Sequence, residues 1–256
     1  MRAPDEMGAD GRAVFWDGCL NVRELGGLPT DGYRLTRSKA ILRADSIHKL
    51  TKDGWEELLS YGVSRIIDLR FHSELAQDPP RDLPIDVVHV PVLPELDSDH
   101  WQEIDAISDA AQDVVVATRS TYLEFLERFR PRFAEAIHSI ADAPDGTVVI
   151  HCVGGKDRTG LVSALVLRVA GVSVADVATD YALSEANLRD EAAEWIEMAE
   201  TETERRIRER RSRTPAEAMV GVLEELERRY GSVESYLLAG GATHETLERI
   251  RARLGG

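Results

Sequence analysis

The sequence is poor in cysteine, in lysine and in uninterrupted apolar stretches, and each shortage narrows its chemistry. Two cysteines, Cys19 and Cys152, build neither a disulfide framework nor a zinc site. The seven histidines show no paired ligand spacing, so neither a metal centre nor another cofactor is expected. No apolar run approaches the roughly 18 residues that would span a bilayer. The opening MRAPDEMGADGRAVFW has no apolar h-region and no small-residue cleavage site, so a soluble, cytoplasmic protein is expected. Lysine occurs only at positions 39, 49, 52 and 156, against many arginines, a bias that reads as coding composition. With a formal charge of −15 there is no basic face for a nucleic-acid backbone. Small phosphorylated ligands stay compatible with that charge, because a local pocket of arginines and backbone amides suffices to hold them.

What is present is ordinary globular composition, 43% hydrophobic and 30% charged, in a chain of 256 residues. Without repeats or a low-complexity linker, it reads as one domain over residues 1–256. Residues 1–13 read as a polar, poorly ordered lead-in, and Thr30-Asp31-Gly32 as a hairpin turn. Short β-branched runs at 40–43, 65–69, 86–90 and 147–151 predict strands buried on both faces. Helical patterns alternate with them: Thr51 caps 52–61, and one helix from about 119 to 141 is kinked or broken at Pro131. The fold class is therefore α/β, a mostly parallel sheet flanked by helices, with a helical C-terminal region beyond 173. In that region EAAEWIEMAETETERRIRERR predicts a solvated surface helix, and Thr214-Pro215-Ala216-Glu217 the capped start of another. Residues 71–84 read as a loop. Residues 92–118 are acidic, weakly helical and too long for an idle connection, so a lid insertion is expected there.

The chemistry concentrates in TVVIHCVGGKDRTGLVSALVLRVA, a buried strand, a glycine-containing loop and a buried helix closed by Gly171. Loop amides and a helix N-terminus surround one point, which makes an anion site. Cys152 opens the loop and Arg158 follows six positions later, so dipole, amides and guanidinium all favour a thiolate. The same groups suit a phosphoryl dianion: Arg158 grips two oxygens through its fork, and Val153, Gly154, Gly155 and Lys156 supply the cradle. The Thr159 hydroxyl can donate to the thiolate when it leaves, and His151 orients the loop by hydrogen bonding. Asp68 and Arg70, at the carboxyl end of a predicted strand, should face the same crevice. Asp68 is then either a general acid or an ion-pair partner that orients Arg158. Cys19 reads as a structural residue.

His151-Cys152-Val153-Gly154-Gly155-Lys156-Asp157-Arg158-Thr159-Gly160 resembles the signature of the protein-tyrosine phosphatase superfamily. Its Lys156-Asp157 pair is similar to the bacterial tyrosine phosphatase B-like branch, whose loop reads His-Cys-x-Ala-Gly-Lys-Asp-Arg-Thr-Gly. Asn21 to Gly27 (NVRELGG), Leu42 to Asp45, Ile67 to Arg70 and the 230–240 stretch also resemble that branch, so the likeness covers most of 20–253. Gly154 departs from the usual alanine. The resemblance implies hydrolysis of phosphate monoesters through a phosphocysteine. Phosphotyrosine proteins, phosphoserine or phosphothreonine and phosphoinositides are all substrates it allows, with inorganic phosphate as product. No Trp-Pro-Asp triplet exists to supply a mobile acid. In the bacterial branch the aspartate inside the loop is the proposed acid, which maps onto Asp157, with Asp68 as the alternative. Two other classes compete: a rhodanese-like sulfurtransferase, which lacks this Cys-to-Arg spacing, and a non-catalytic phospho-ligand module, which would have lost Cys152 or Arg158.

Overall fold

A computed structural model describes residues 11–77, 84–96 and 98–255. Among them runs one five-stranded sheet: β1 (Arg23–Glu24), β2 (Ile41–Ala44), β3 (Val63–Asp68), β4 (Asp86–His89) and β5 (Thr147–His151). Its order is β1-β2-β5-β3-β4, with β1 antiparallel to β2 and every other pair parallel. β5 is central and wholly buried, as its continuous apolar run requires. β4 departs from the expected two-faced burial. It lies at the edge, with Asp86 and Val87 exposed, because only β3 covers it.

Alternate residues of each strand face opposite layers. Leu42, Ile66 and Val149 meet a small layer made of Trp16, Trp55 and Leu58, the last two on α1 (Lys52–Tyr61). Thr51 caps α1, its hydroxyl accepting from the Gly54 amide, as its sequence position predicts. Ile41, Ile67, Val148 and Ile150 face the larger layer, centred on α6 (Asp157–Val169). Around α6 pack α4 (Val114–Arg128), α5 (Arg130–Ala141), α7 (Val174–Asn187), α10 (Ala216–Tyr230), α11 (Val233–Ala239) and α12 (His244–Leu254).

Several expectations need correction. Residues 71–84 are not all loop, since α2 spans His72–Gln77; positions 78–83 fall outside the described residues. The lead-in is likewise only partly outside: 1–10 are, but Arg12 is buried and Ala13 bridges to Arg23. The break expected near Pro131 is present, α4 and α5 meeting at Phe129 with Pro131 in the first turn of α5, but the helix starts earlier than 119, since α4 already begins at Val114 behind an Asp113 cap. The charged surface helix is a pair, α8 (Arg189–Glu197) and α9 (Glu202–Ser212). Thr214 does not cap α10. Its hydroxyl instead bonds the Ala182 carbonyl and receives the Glu185 amide, tying the start of α10 to α7. The turn expected at Thr30-Asp31-Gly32 is present, closed by the Tyr33 amide donating to the Thr30 carbonyl, with the exposed Tyr33 left-handed.

Candidate active site

The loop leaves the carboxyl end of β5 between the ends of β2 and β3, the crevice where open α/β sheets hold ligands. The first amides of α6 lack intrahelical acceptors, and Lys156 at its N-cap makes no side-chain cap. Cys152 is 3% exposed yet forms part of the floor of a cavity of about 690 Å³. Gly155 has φ +64°, and a Cβ there would sit 2.3 Å from the Ala44 carbonyl oxygen, so only glycine fits between loop and β2. A Cβ on Gly154 would meet nothing closer than Leu188 at 3.8 Å.

The carbonyls on the back of the loop are held by fixed donors. Asn21 Nδ2 donates to the carbonyls of Gly154 (3.0 Å) and Gly155 (3.2 Å), Arg43 donates to Gly155 (2.8 Å), and the Ser46 amide donates to Val153 (2.8 Å). Arg43 is itself fixed by Asp180 at 2.6 Å, a buried carboxylate that also receives Arg12 (2.8 Å) and Arg23 (3.1 Å). Burial pushes the Asp180 carboxyl up, and the three guanidiniums outweigh it, so it stays well below the ordinary carboxylate range. Burial and the neighbouring Arg43 pull Arg23 down to about 9. Removing Asp180 would leave three buried guanidiniums uncompensated, at a cost of about 3–5 kcal/mol.

Arg158 lines the cavity, and its guanidinium head is also held by a carboxylate. Its two terminal nitrogens donate to Glu74 Oε2 (2.6 Å) and Oε1 (3.0 Å), and its guanidinium lies 4.4 Å over the Phe71 ring. Glu74 is itself held by the Phe71 amide (2.6 Å). Three of the five guanidinium N–H groups lie outside that fork. The Thr159 hydroxyl is buried, with no hydrogen-bond partner among the described residues. Lys156 bonds the Arg211 carbonyl at the end of α9 and lies 3.3 Å from Asp157 Oδ1.

Asp157 and Asp68 occupy contrasting places. Asp157 borders the cavity, is 47% exposed, and accepts a 2.5 Å hydrogen bond at Oδ1 from Tyr122. Asp68 is 1% exposed and chelated by its near neighbour Arg70, at 3.0 and 3.1 Å from Nε and 2.8 Å from a terminal nitrogen. Burial pushes its carboxyl up, but His151 and Arg70 outweigh that, so it lies below the ordinary value. The ion pair assigned to Asp68 is thus made with Arg70, and Arg158 is oriented by Glu74. Arg70, expected at the crevice, is 2% exposed, fixed between Asp68 and His48 Nε2 (2.7 Å), and does not border the cavity. His151 sits behind the loop, Nδ1 3.2 Å from the Cys152 carbonyl and Nε2 3.6 Å from Asp68; burial holds it down at about 4, hence neutral.

Among the described residues, His48, Asp68 and His151 are the one group whose ligand atoms approach within 4.8 Å as a metal site would demand. The Arg70 guanidinium already bonds His48 and Asp68, so a cation stands where the metal would.

Of the residues expected at the site, the fold brings Cys152, Val153, Gly154, Lys156, Asp157 and Arg158 to one cavity, and keeps Asp68 and Arg70 beneath it. Its walls are largely apolar and aromatic: Phe71, Trp101, Tyr122, Phe125, Leu188 and Trp195. Glu74, Tyr122, Asp180 and the arginines of α9 escaped the sequence reading. For Glu74 a signal existed, an acid in the first turn after Phe71; the others act across more than 20 residues, where spacing carries no signal.

Residues 14–256 match the sequence model of the tyrosine phosphatase family. The chain is 29% identical over 225 residues to a tyrosine-protein phosphatase of Nostoc commune, covering 84% of this chain and 74% of the relative. It is 25% identical over 281 aligned positions to the triple specificity protein phosphatase PtpB of Mycobacterium tuberculosis, covering 93% of this chain and all of the relative.

Proposed function

The chain belongs to the tyrosine phosphatase family, and from that premise we propose that it cleaves phosphotyrosine esters with Cys152 as nucleophile, Arg158 as phosphoryl ligand and Asp157 as general acid. The carrying observation is that Cys152, Arg158 and Asp157 share one cavity with apolar and aromatic walls, suited to an aryl group. The Cys152 sulfur attacks phosphorus, and the bond to the tyrosyl oxygen breaks with its electron pair leaving on oxygen. Asp157 gives that oxygen its proton. Water then attacks the phosphocysteine, Asp157 takes a proton back, and phosphate leaves as the thiolate is restored. Thr159, whose buried hydroxyl has no hydrogen-bond partner among the described residues, would donate to the departing sulfur. The loop amides from Val153 through Lys156 cradle the equatorial oxygens, while Glu74 holds the Arg158 plane for them.

Asp68 and Arg70 serve here as positioning residues under His151 rather than as acid and ligand, because both are buried and neither borders the cavity, out of reach of a leaving oxygen. The name of the Mycobacterium tuberculosis relative records triple specificity, so the substrate range to be tested extends beyond phosphotyrosine. The test is an assay of phosphotyrosine peptide, phosphoserine peptide and phosphoinositide, with Cys152→Ser as control. The aryl ester should turn over fastest, and the serine variant should lose all but a trace of activity, since its hydroxyl is not ionised here. Undiminished turnover by Cys152→Ser would overturn the mechanism; equal turnover of alkyl and aryl esters would overturn the substrate assignment.

A further inference from the structure

Tyr122 lies on α4, 3% exposed, and its hydroxyl donates to Asp157 Oδ1 at 2.5 Å. The same hydroxyl oxygen stands 2.9 Å from the hydroxyl of Tyr181, a buried residue of α7. With the Tyr122 proton directed to the carboxylate, its oxygen is free to accept from Tyr181, so the donors run Tyr181 to Tyr122 to Asp157. Lys156 approaches the same Oδ1 at 3.3 Å. Two donors thus converge on one carboxyl oxygen. Burial and the nearby Asp157 charge raise the Tyr122 phenol well above its ordinary value, so it remains a donor throughout the working pH range.

We propose that Tyr122, backed by Tyr181, is a positioning residue that pins Asp157 by Oδ1 so that Oδ2 carries the proton toward the leaving oxygen. This rests on the reading of Asp157 as the acid. A carboxyl attached to the loop by its backbone alone would rotate freely at 47% exposure, and the hydrogen bond from a rigid, buried ring removes that freedom. Nothing in this role touches phosphorus. It acts only where the leaving group needs a proton, which gives it a signature that loss of packing does not share.

The experiment compares the full-length chain with its Tyr122→Phe, Tyr181→Phe and Asp157→Asn variants on phenyl phosphate, a poor leaving group, and 4-nitrophenyl phosphate, a good one. Thermal unfolding midpoints establish that each variant folds. Loss of one hydrogen bond to a charged group corresponds to about tenfold or more, and loss of the acid to about a hundredfold or more. The expected result is that Tyr122→Phe lowers kcat on phenyl phosphate about tenfold, leaves 4-nitrophenyl phosphate within about threefold, and shifts neither KM appreciably. Tyr181→Phe should repeat the pattern more weakly, and it carries the test if Tyr122→Phe does not fold. Asp157→Asn should show the largest leaving-group dependence. If Asp157→Asn shows it while both tyrosine variants slow the two substrates equally, or not at all, the pinning role is overturned and the acid stands. If Asp157→Asn slows both substrates alike, the acid assignment itself fails and the role of Tyr122 falls with it.

Discussion

Gly154 and Gly155 are adjacent in the loop yet answer to different constraints. Gly155 is left-handed at φ +64°, and any Cβ would press into the Ala44 carbonyl carbon and oxygen at 2.3–2.5 Å, which backbone cannot yield. Gly155→Ala should therefore displace the loop, and a displacement of about 1 Å lowers kcat/KM by about a hundredfold. Gly154 has ordinary van der Waals space and no left-handed φ, so the alanine of the bacterial branch fits it. Gly154→Ala should raise stability by about 0.4–1 kcal/mol through the unfolded chain and leave kcat/KM within about twofold. Urea unfolding with steady-state kinetics checks both. A disabling Gly154→Ala would mean that the loop needs more freedom at 154 than its present shape uses.

At the scale of elements, the described residues of 92–118 are tied into the core at several points. Val92 and Leu93 are core, Trp101 packs edge-on against Phe71 and Phe125, and Ile104 is buried in α3 (His100–Asp109), while Val114–Thr118 open α4. Their acidic, irregular pattern hid this, because the apolar residues that dock are too few to set a clear period. The strands and the buried helix α6 were legible for the converse reason: their apolar runs are continuous, and the Cys-to-Arg spacing sets loop geometry by itself. Partners such as Glu74 and Arg158, 84 residues apart, come together only through the sheet order. Among the residues lining the cavity, Arg211 meets Asp105 at 3.2 Å and Arg210 meets Ser108 at 3.0 Å, joining α3 to α9. We propose that α3 covers the cavity and that these contacts fasten it. The Arg211–Asp105 pair is at least half exposed on both sides, so it contributes at most about 1 kcal/mol and is weakened by salt. Asp105→Ala with Arg211→Ala should speed peroxide inactivation of Cys152 by up to about fivefold. It should also favour phosphopeptide over 4-nitrophenyl phosphate, and abolish the salt dependence that the unaltered chain shows in that ratio. An unchanged inactivation rate and substrate ratio would leave the cover without function.

For the whole molecule, a net charge of −15 contrasts with the space behind the loop, which holds three arginines on Asp180, and Arg70 between Asp68, His48 and a neutral His151. The site's support is therefore titratable, and stability and activity share an acid limit. Burial holds the His151 imidazole down at about 4 against an ordinary 6.5 in the unfolded chain. Between those values the unfolded state binds more protons than the folded one, so stability rises with pH there and is lost as pH falls from about 6.5 to about 4. From pH 7 to pH 5 the loss assignable to this one group is about 2 kcal/mol. Asp68 and Asp180, both held below the ordinary carboxylate value, are fully stabilising above it, and their share is lost only at lower pH, as the medium falls through their folded values. The two ranges are separable by experiment. In urea unfolding, His151→Gln should lower stability at pH 7, because the loop loses a packed ring beside the Cys152 carbonyl. It should also be less sensitive to acid than the unaltered chain between pH 7 and pH 5, by about 2 kcal/mol. Below pH 4 the two proteins should lose stability in parallel, with the carboxylates governing both. Identical slopes from pH 7 to pH 5 would show that His151 titrates in the fold as it does in the unfolded chain, and the burial-held neutral imidazole beneath the loop would have to be abandoned.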